Sequence, residues 1–174
     1  LSTATLALWV VMPEKAPTGV GLLAAAALNL IRLCRWAGYR SFSDRLVLVL
    51  HVGYAFVPLG FLLAGLSAFG ITAPSAGVHA WTAGAFGIMT LAVMSRASLG
   101  HTSRALVASP ALQAVYAVAF AAALTRICAV LHPEWSEALL SIAASAWSAA
   151  FLGFASLYAP ILCLKPSKAV RTSD

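Results

Sequence analysis

Six apolar stretches separated by short polar joints leave this chain few ways to fold. Five of them, at 18–35, 46–69, 77–96, 110–131 and 138–164, are long enough as helices to cross about 30 Å of hydrocarbon. A helix satisfies its own backbone groups where lipid offers no water, so runs of this length and uniform apolarity favour spanning helices. Composition agrees: 61% of residues are hydrophobic and only 9% charged, with a mean hydropathy of +0.91. The expected fold is all-α, a polytopic transmembrane helix bundle with about six visible helices.

The first run, 1–12, makes about 18 Å of helix, too short to span. The sequence also opens on Leu1 instead of an initiator methionine. These features predict a truncated first helix in the C-terminal part of a longer protein, whose missing N-terminal helices would pack on this bundle. A signal peptide is the competing reading, but the positively charged leader is absent. No linker or low-complexity stretch divides the chain, so 1–174 reads as one transmembrane domain ending in a basic tail, 165–174.

Eleven basic residues against five acidic ones give a formal charge of +6, which raises the question of nucleic acid. The placement of the charges excludes it, because they lie in the joints between apolar runs and form no phosphate-binding face. Arg32, Arg35, Arg40, Arg45, Arg96, Arg104, Lys165, Lys168 and Arg171 fall at alternate joints and the tail, whereas only Lys15 and Arg126 fall on the other side. The positive-inside rule therefore predicts a cytoplasmic C-terminus, and Glu134 and Glu137 in the opposite joint agree. The basic tail also suits contact with anionic lipid.

Small residues point to helix contacts, since lipid gives spans no hydrophobic reason to associate and close backbone approach must do so. Gly53, Gly60 and Gly65, the pairs Ala80/Gly84 and Ala83/Gly87, and Ala117, Ala121, Ala143, Ala146 and Ala150 are the expected contact positions. Cys34, Cys128 and Cys163 form no CxxC pair and are read chiefly as buried small apolar residues. Met89 and Met94 stand five positions apart, about 140° around a helix, so they are assigned to packing and not to one metal.

Histidines carry the chemical interest, because neutral imidazole ligates haem iron and copper and ionisable groups within spans are costly. His51 is the deepest, about 7 Å along its helix from Leu46. Pro58 lies two turns on and frees the carbonyl of Tyr54, which with the Tyr54 hydroxyl makes a polar region. His79 and His101 are 22 residues apart, on one stripe of an ideal helix with Ala83, Phe86, Thr90 and Ala97, and a partner is expected along that stripe. His51 and His79 differ in depth by about 24 Å and cannot share a metal, so two sites are expected: an outer one with His79 and an inner one with His51 and His101.

Each histidine has a bland alternative: an interhelical hydrogen bond for His51, an interfacial role for His79, a solvated loop for His101. His132, beside Pro133, reads as structural. Arg126, about five residues inside its helix end, either snorkels or binds an anion at the outer level, such as a haem propionate near His79. Arg96 reads as an anchor at the inner headgroups. No P-loop, HExxH, GxSxG or paired carboxylates occur.

HVGYAFVPLG at 51–60, HAWTAGAFGIMTLAVMSRASLGHTSR at 79–104, LHPEW and YAPIL together resemble the NnrS family. The middle block is the most specific, similar to the family pattern TLAVMTRASLGHTGR with Ser95 and Ser103 as departures, neither of which removes a ligand. The resemblance covers essentially the whole chain as the C-terminal half of such a protein. It implies a multi-pass protein of the bacterial inner membrane that contains haem and copper and serves the nitric oxide response, often beside denitrification. By position, His51, His79 and His101 become the candidate metal ligands, with Tyr54, Arg126 and Arg96 as further site residues.

A centre of this kind is compatible with a sink, a sensor or a catalyst for nitric oxide or a derived species. A transporter built on broken spans around Pro58 is the main alternative, although no internal repeat supports it. A purely structural membrane subunit is the third.

Overall fold

Turn chemistry in the joints sets where each helix begins. Pro74 and Pro110 occupy first helical positions, where a missing N–H costs nothing. Asp44 caps the third helix, its carboxylate accepting from the backbone N–H of Leu46 at 3.0 Å and of Val47 at 3.2 Å. Ser109 caps the helix at Pro110 by accepting from Leu112 N–H at 3.2 Å. Gly70, at φ +73°, makes the left-handed turn that closes the third helix.

The computed structural model describes residues 1–36 and 38–163, and the expected basic tail 165–174 lies outside the described residues. The elements are α1 (Ser2–Val11), α2 (Ala16–Arg35), α3 (Arg45–Ser67), α4 (Pro74–His79), a π-helical segment (Ala80–Gly87), α5 (Ile88–His101), α6 (Pro110–Leu131) and α7 (Ser136–Cys163). Two 3₁₀ turns, Gly38–Ser41 and Pro133–Trp135, lie in joints. The segments α4, π and α5 form one continuous rod, so five helices are long and apolar enough to cross a membrane, with α1 a shorter apolar helix beside them. The all-helical polytopic architecture read from the sequence is the one observed.

Helix α3 lies at the centre, packed on α2 at one flank and on the α4–π–α5 rod at the other. The rod in turn meets α6, and α6 pairs extensively with α7. Because neighbours alternate in direction, one end of the bundle carries Arg40, Arg45, Arg96 and Arg104, and the opposite end carries Glu14, Lys15, Glu134 and Glu137. These are called below the basic end and the opposite end.

Glycine permits the central contact. A Cβ on Gly77 would stand 2.8 Å from the Gly60 carbonyl oxygen and 2.9 Å from the Ala64 nitrogen, backbone atoms that cannot rotate aside. Gly53, Gly60 and Gly65 are all buried as expected, and Met89 packs over Gly53. On α6 the contact face is different from expectation: Ala119, Ala122 and Ala123 are buried, whereas Ala117 and Ala121 are exposed.

Other expectations require correction for the same physical reason. Cys34 and Cys163 are exposed and Cys128 is half-buried, and Met94 is also exposed. A small or flexible apolar side chain has no need to hide from hydrocarbon, so burial in the protein is not enforced there.

The π segment overturns the single stripe between His79 and His101. Hydrogen bonds from i to i+5 widen each turn, so eight residues pass with less rotation per residue than an α-helix gives and the register of α5 shifts against α4. Ala83 and Thr90 are half-buried, but Phe86 is 71% exposed and Ala97 and His101 are exposed. No one partner packs along all of them.

Candidate functional site

At the basic end, the α2–α3 connection folds over His51. A Cβ on Gly38 would sit 2.8 Å from His51 Cδ2, and the Trp36 ring meets the imidazole edge to face at 6.2 Å between centroids. His51 Nδ1 lies 3.0 Å from the Val47 carbonyl oxygen one turn earlier. A carbonyl can only accept, so Nδ1 carries a proton, and the tautomer this bond selects has its lone pair on Nε2. This is the arrangement by which proteins commonly orient an imidazole for metal ligation.

Tyr54, one turn from His51, packs against Trp36 at 4.8 Å and donates its hydroxyl to Asn29 Oδ1 at 2.8 Å. The Asn29 amide nitrogen donates to Ser2 Oγ at 3.1 Å and to Ala25 O at 2.8 Å. One half-buried amide therefore joins α1, α2 and α3, and Tyr54 serves as a strut beneath His51. The Arg32 guanidinium covers the outer face of Trp36 at 4.9 Å.

At the opposite end, His79 and Arg126 line one cavity of about 280 Å³ between the rod, α6 and α7. Its remaining walls include Ala83, Ala143 and Trp147, a small-residue and aromatic surface. Gly87 seats the Trp147 ring, since a Cβ there would collide with it. An imidazole, a guanidinium and an apolar wall at one opening suit an amphipathic planar ligand with acidic arms.

The helix runs on past Arg96, so His101 is the last residue of α5 and not part of a loop, and its side chain is exposed. Arg96 faces Asp44 at 3.8 Å, with both side chains nearly half exposed. His132 pairs with Glu134 at 3.4 Å in the joint before α7. Among the described residues, no three of His, Cys, Asp and Glu gather as a metal cage. His51 and His79 belong to opposite ends, in agreement with the depth argument.

The family model described as NnrS protein matches residues 1–165. The chain belongs to the NnrS family. No curated protein and no solved structure matches it. In this NnrS chain the stretch 79–104 contains the π segment, Ala80–Gly87. Such segments recur at functional sites.

Sequence reasoning passed over three features of this NnrS bundle. Trp147 shapes the His79 cavity but lies in α7, with no motif to mark it. Asn29 had a detectable signal, an amide in the middle of an apolar run. Ser95, Tyr116 and Tyr158 are buried where α5, α6 and α7 meet. Ser95 Oγ donates to Leu91 O at 2.6 Å, and among the described residues the Tyr116 hydroxyl has no partner within hydrogen-bond geometry.

Proposed function

We propose that this NnrS family member binds haem and copper through membrane-embedded histidines and acts in the response to nitric oxide. The residues that would hold haem line the cavity at the opposite end, where His79 would ligate its iron and Arg126 would pair one of its acidic side groups. The second metal centre belongs at the basic end, on the free Nε2 of His51, with His101 available from the same end. Nε2 of His51 and the His79–Arg126 pair face different levels, so the two groups are held apart.

The observation that carries this reading is the convergence of His79 and Arg126 on one apolar cavity, since two costly polar side chains from different spans meet there. Haem iron would supply a coordination position for a diatomic gas. His79 would fix the iron's level in the membrane, Arg126 would set the orientation of the macrocycle, and Trp147 with Ala143 would exclude water from its face. The protein is further assigned to the bacterial inner membrane, with its C-terminus cytoplasmic and additional helices of the same protein completing the ligand sets.

Metal and haem analysis of the intact protein, with optical spectra before and after addition of nitric oxide, tests the proposal. The expected result is a Soret band that shifts with nitric oxide and is lost in His79→Ala. A protein free of haem and copper when produced with both available would overturn it.

A further inference from the structure

Beyond the histidine centres, a second cavity opens at the basic end. It is a cleft of about 320 Å³ between α3 and α6, floored by Ile88 of α5. The two helices run in the same direction, and Phe56 meets Phe120 between them, ring centroids 5.7 Å apart. Arg45 and Gln113 stand at the mouth, and seven residues further along each helix come Val52 and Phe120. Phe56 lies 11 residues beyond Arg45 and Phe120 lies seven beyond Gln113, so at about 1.5 Å per residue Arg45 starts about 6 Å further out than Gln113, an offset its long side chain can span, and both walls turn apolar toward the membrane interior.

The geometry points to a binding site for an anionic phospholipid, its phosphate on Arg45 and Gln113 and one acyl chain lying in the cleft toward Phe120. The polarity of the cleft matches a lipid set in the leaflet that the basic end faces. Arg45 is exposed, and among the described residues no carboxylate pairs with it, since the nearby Asp44 faces Arg96 instead. Gln113 gives one amide proton to Ala108 O at 3.0 Å, which leaves the second free for a phosphate oxygen. Ala117 and Phe120 on the α6 wall are themselves exposed, so the cleft is entered sideways from the bilayer. A charged guanidinium favours a phosphodiester over a neutral headgroup or an uncharged ring compound.

Native mass spectrometry of the delipidated full-length protein, with palmitoyl-oleoyl phosphatidylglycerol or phosphatidylcholine added, tests the assignment. Wild type is expected to retain one phosphatidylglycerol at least fivefold more readily than phosphatidylcholine. Arg45→Gln should erase that preference, Arg45→Lys should keep most of it, and Arg104→Gln, at the same end but outside the cleft, should leave it unchanged. Ala117→Trp, which fills the cleft from its open side, should lower retention of both lipids. Equal retention of the two lipids by wild type, or an undiminished preference in Arg45→Gln, overturns the headgroup assignment. Undiminished retention in Ala117→Trp overturns the acyl seat. Haem and copper content do not enter this measurement, so its failure is distinct from failure of the function proposed above.

Discussion

The two ends of the bundle treat their histidines in opposite ways. His51 is oriented by its own helix through Val47 and roofed by Trp36 and Gly38, so its environment is built from residues near it in sequence. His79 instead faces a cavity assembled from three separate elements, with Arg126 and Trp147 arriving from α6 and α7. A locally oriented imidazole suits a small ion approached from one side. An imidazole on an interhelical cavity suits a bulky ligand that several helices must grip.

The sharpest way to break this comparison is to remove one histidine at a time from the full-length protein. His79→Ala is expected to lower haem per protein at least tenfold by pyridine haemochrome assay, with His51→Ala retaining more than half. Equal losses in both variants would make the ends one functional unit. Arg126→Gln should weaken haem retention about fivefold in a haem-transfer assay, with Arg126→Lys intermediate because it keeps the charge but loses the bidentate fork.

Gly87→Val tests whether the cavity depends on the seat of Trp147. The added side chain would displace the indole, and overpacking of this kind costs about 1–3 kcal/mol. Reduced haem content together with a lower unfolding temperature in detergent is the expected result, while copper content stays unchanged.

Tyr54→Phe probes the basic end more gently. Loss of the hydroxyl bond to Asn29 should destabilise the α2–α3 contact by about 1 kcal/mol in detergent unfolding and leave the haem spectrum intact. Arg96→Gln should have the smallest effect, about 0.5 kcal/mol or less by the same measurement, because its contact with Asp44 is nearly half exposed.

The separation of His51 from His79 was legible in the sequence, because rise per residue converts sequence distance into depth once the spans are recognised. The His79–His101 stripe was not, since it assumed an unbroken α-helix and nothing in Ala80–Gly87 announces a change of hydrogen-bond register. Arg126 stood out as a charge within an apolar run. Trp147 did not, because an aromatic residue in a span has many possible neighbours and only the crossing of α7 over the rod selects the cavity.

Local rules reach a definite part of this protein: which segments are long and apolar enough to span, where Asp44, Ser109 and the prolines start helices, and the family to which the chain belongs. They do so because hydropathy, rise and capping act over a few residues of chain. Only the tertiary structure decided which side chains share a site, bringing His79 and Arg126 to one cavity, Tyr54 to Asn29 and Arg45 and Gln113 to one cleft. In a bilayer nearly every face of a span is apolar, so hydrophobic pattern does not choose the partner, and close backbone contacts such as that of Gly77 on Gly60 set the rotation of each helix instead.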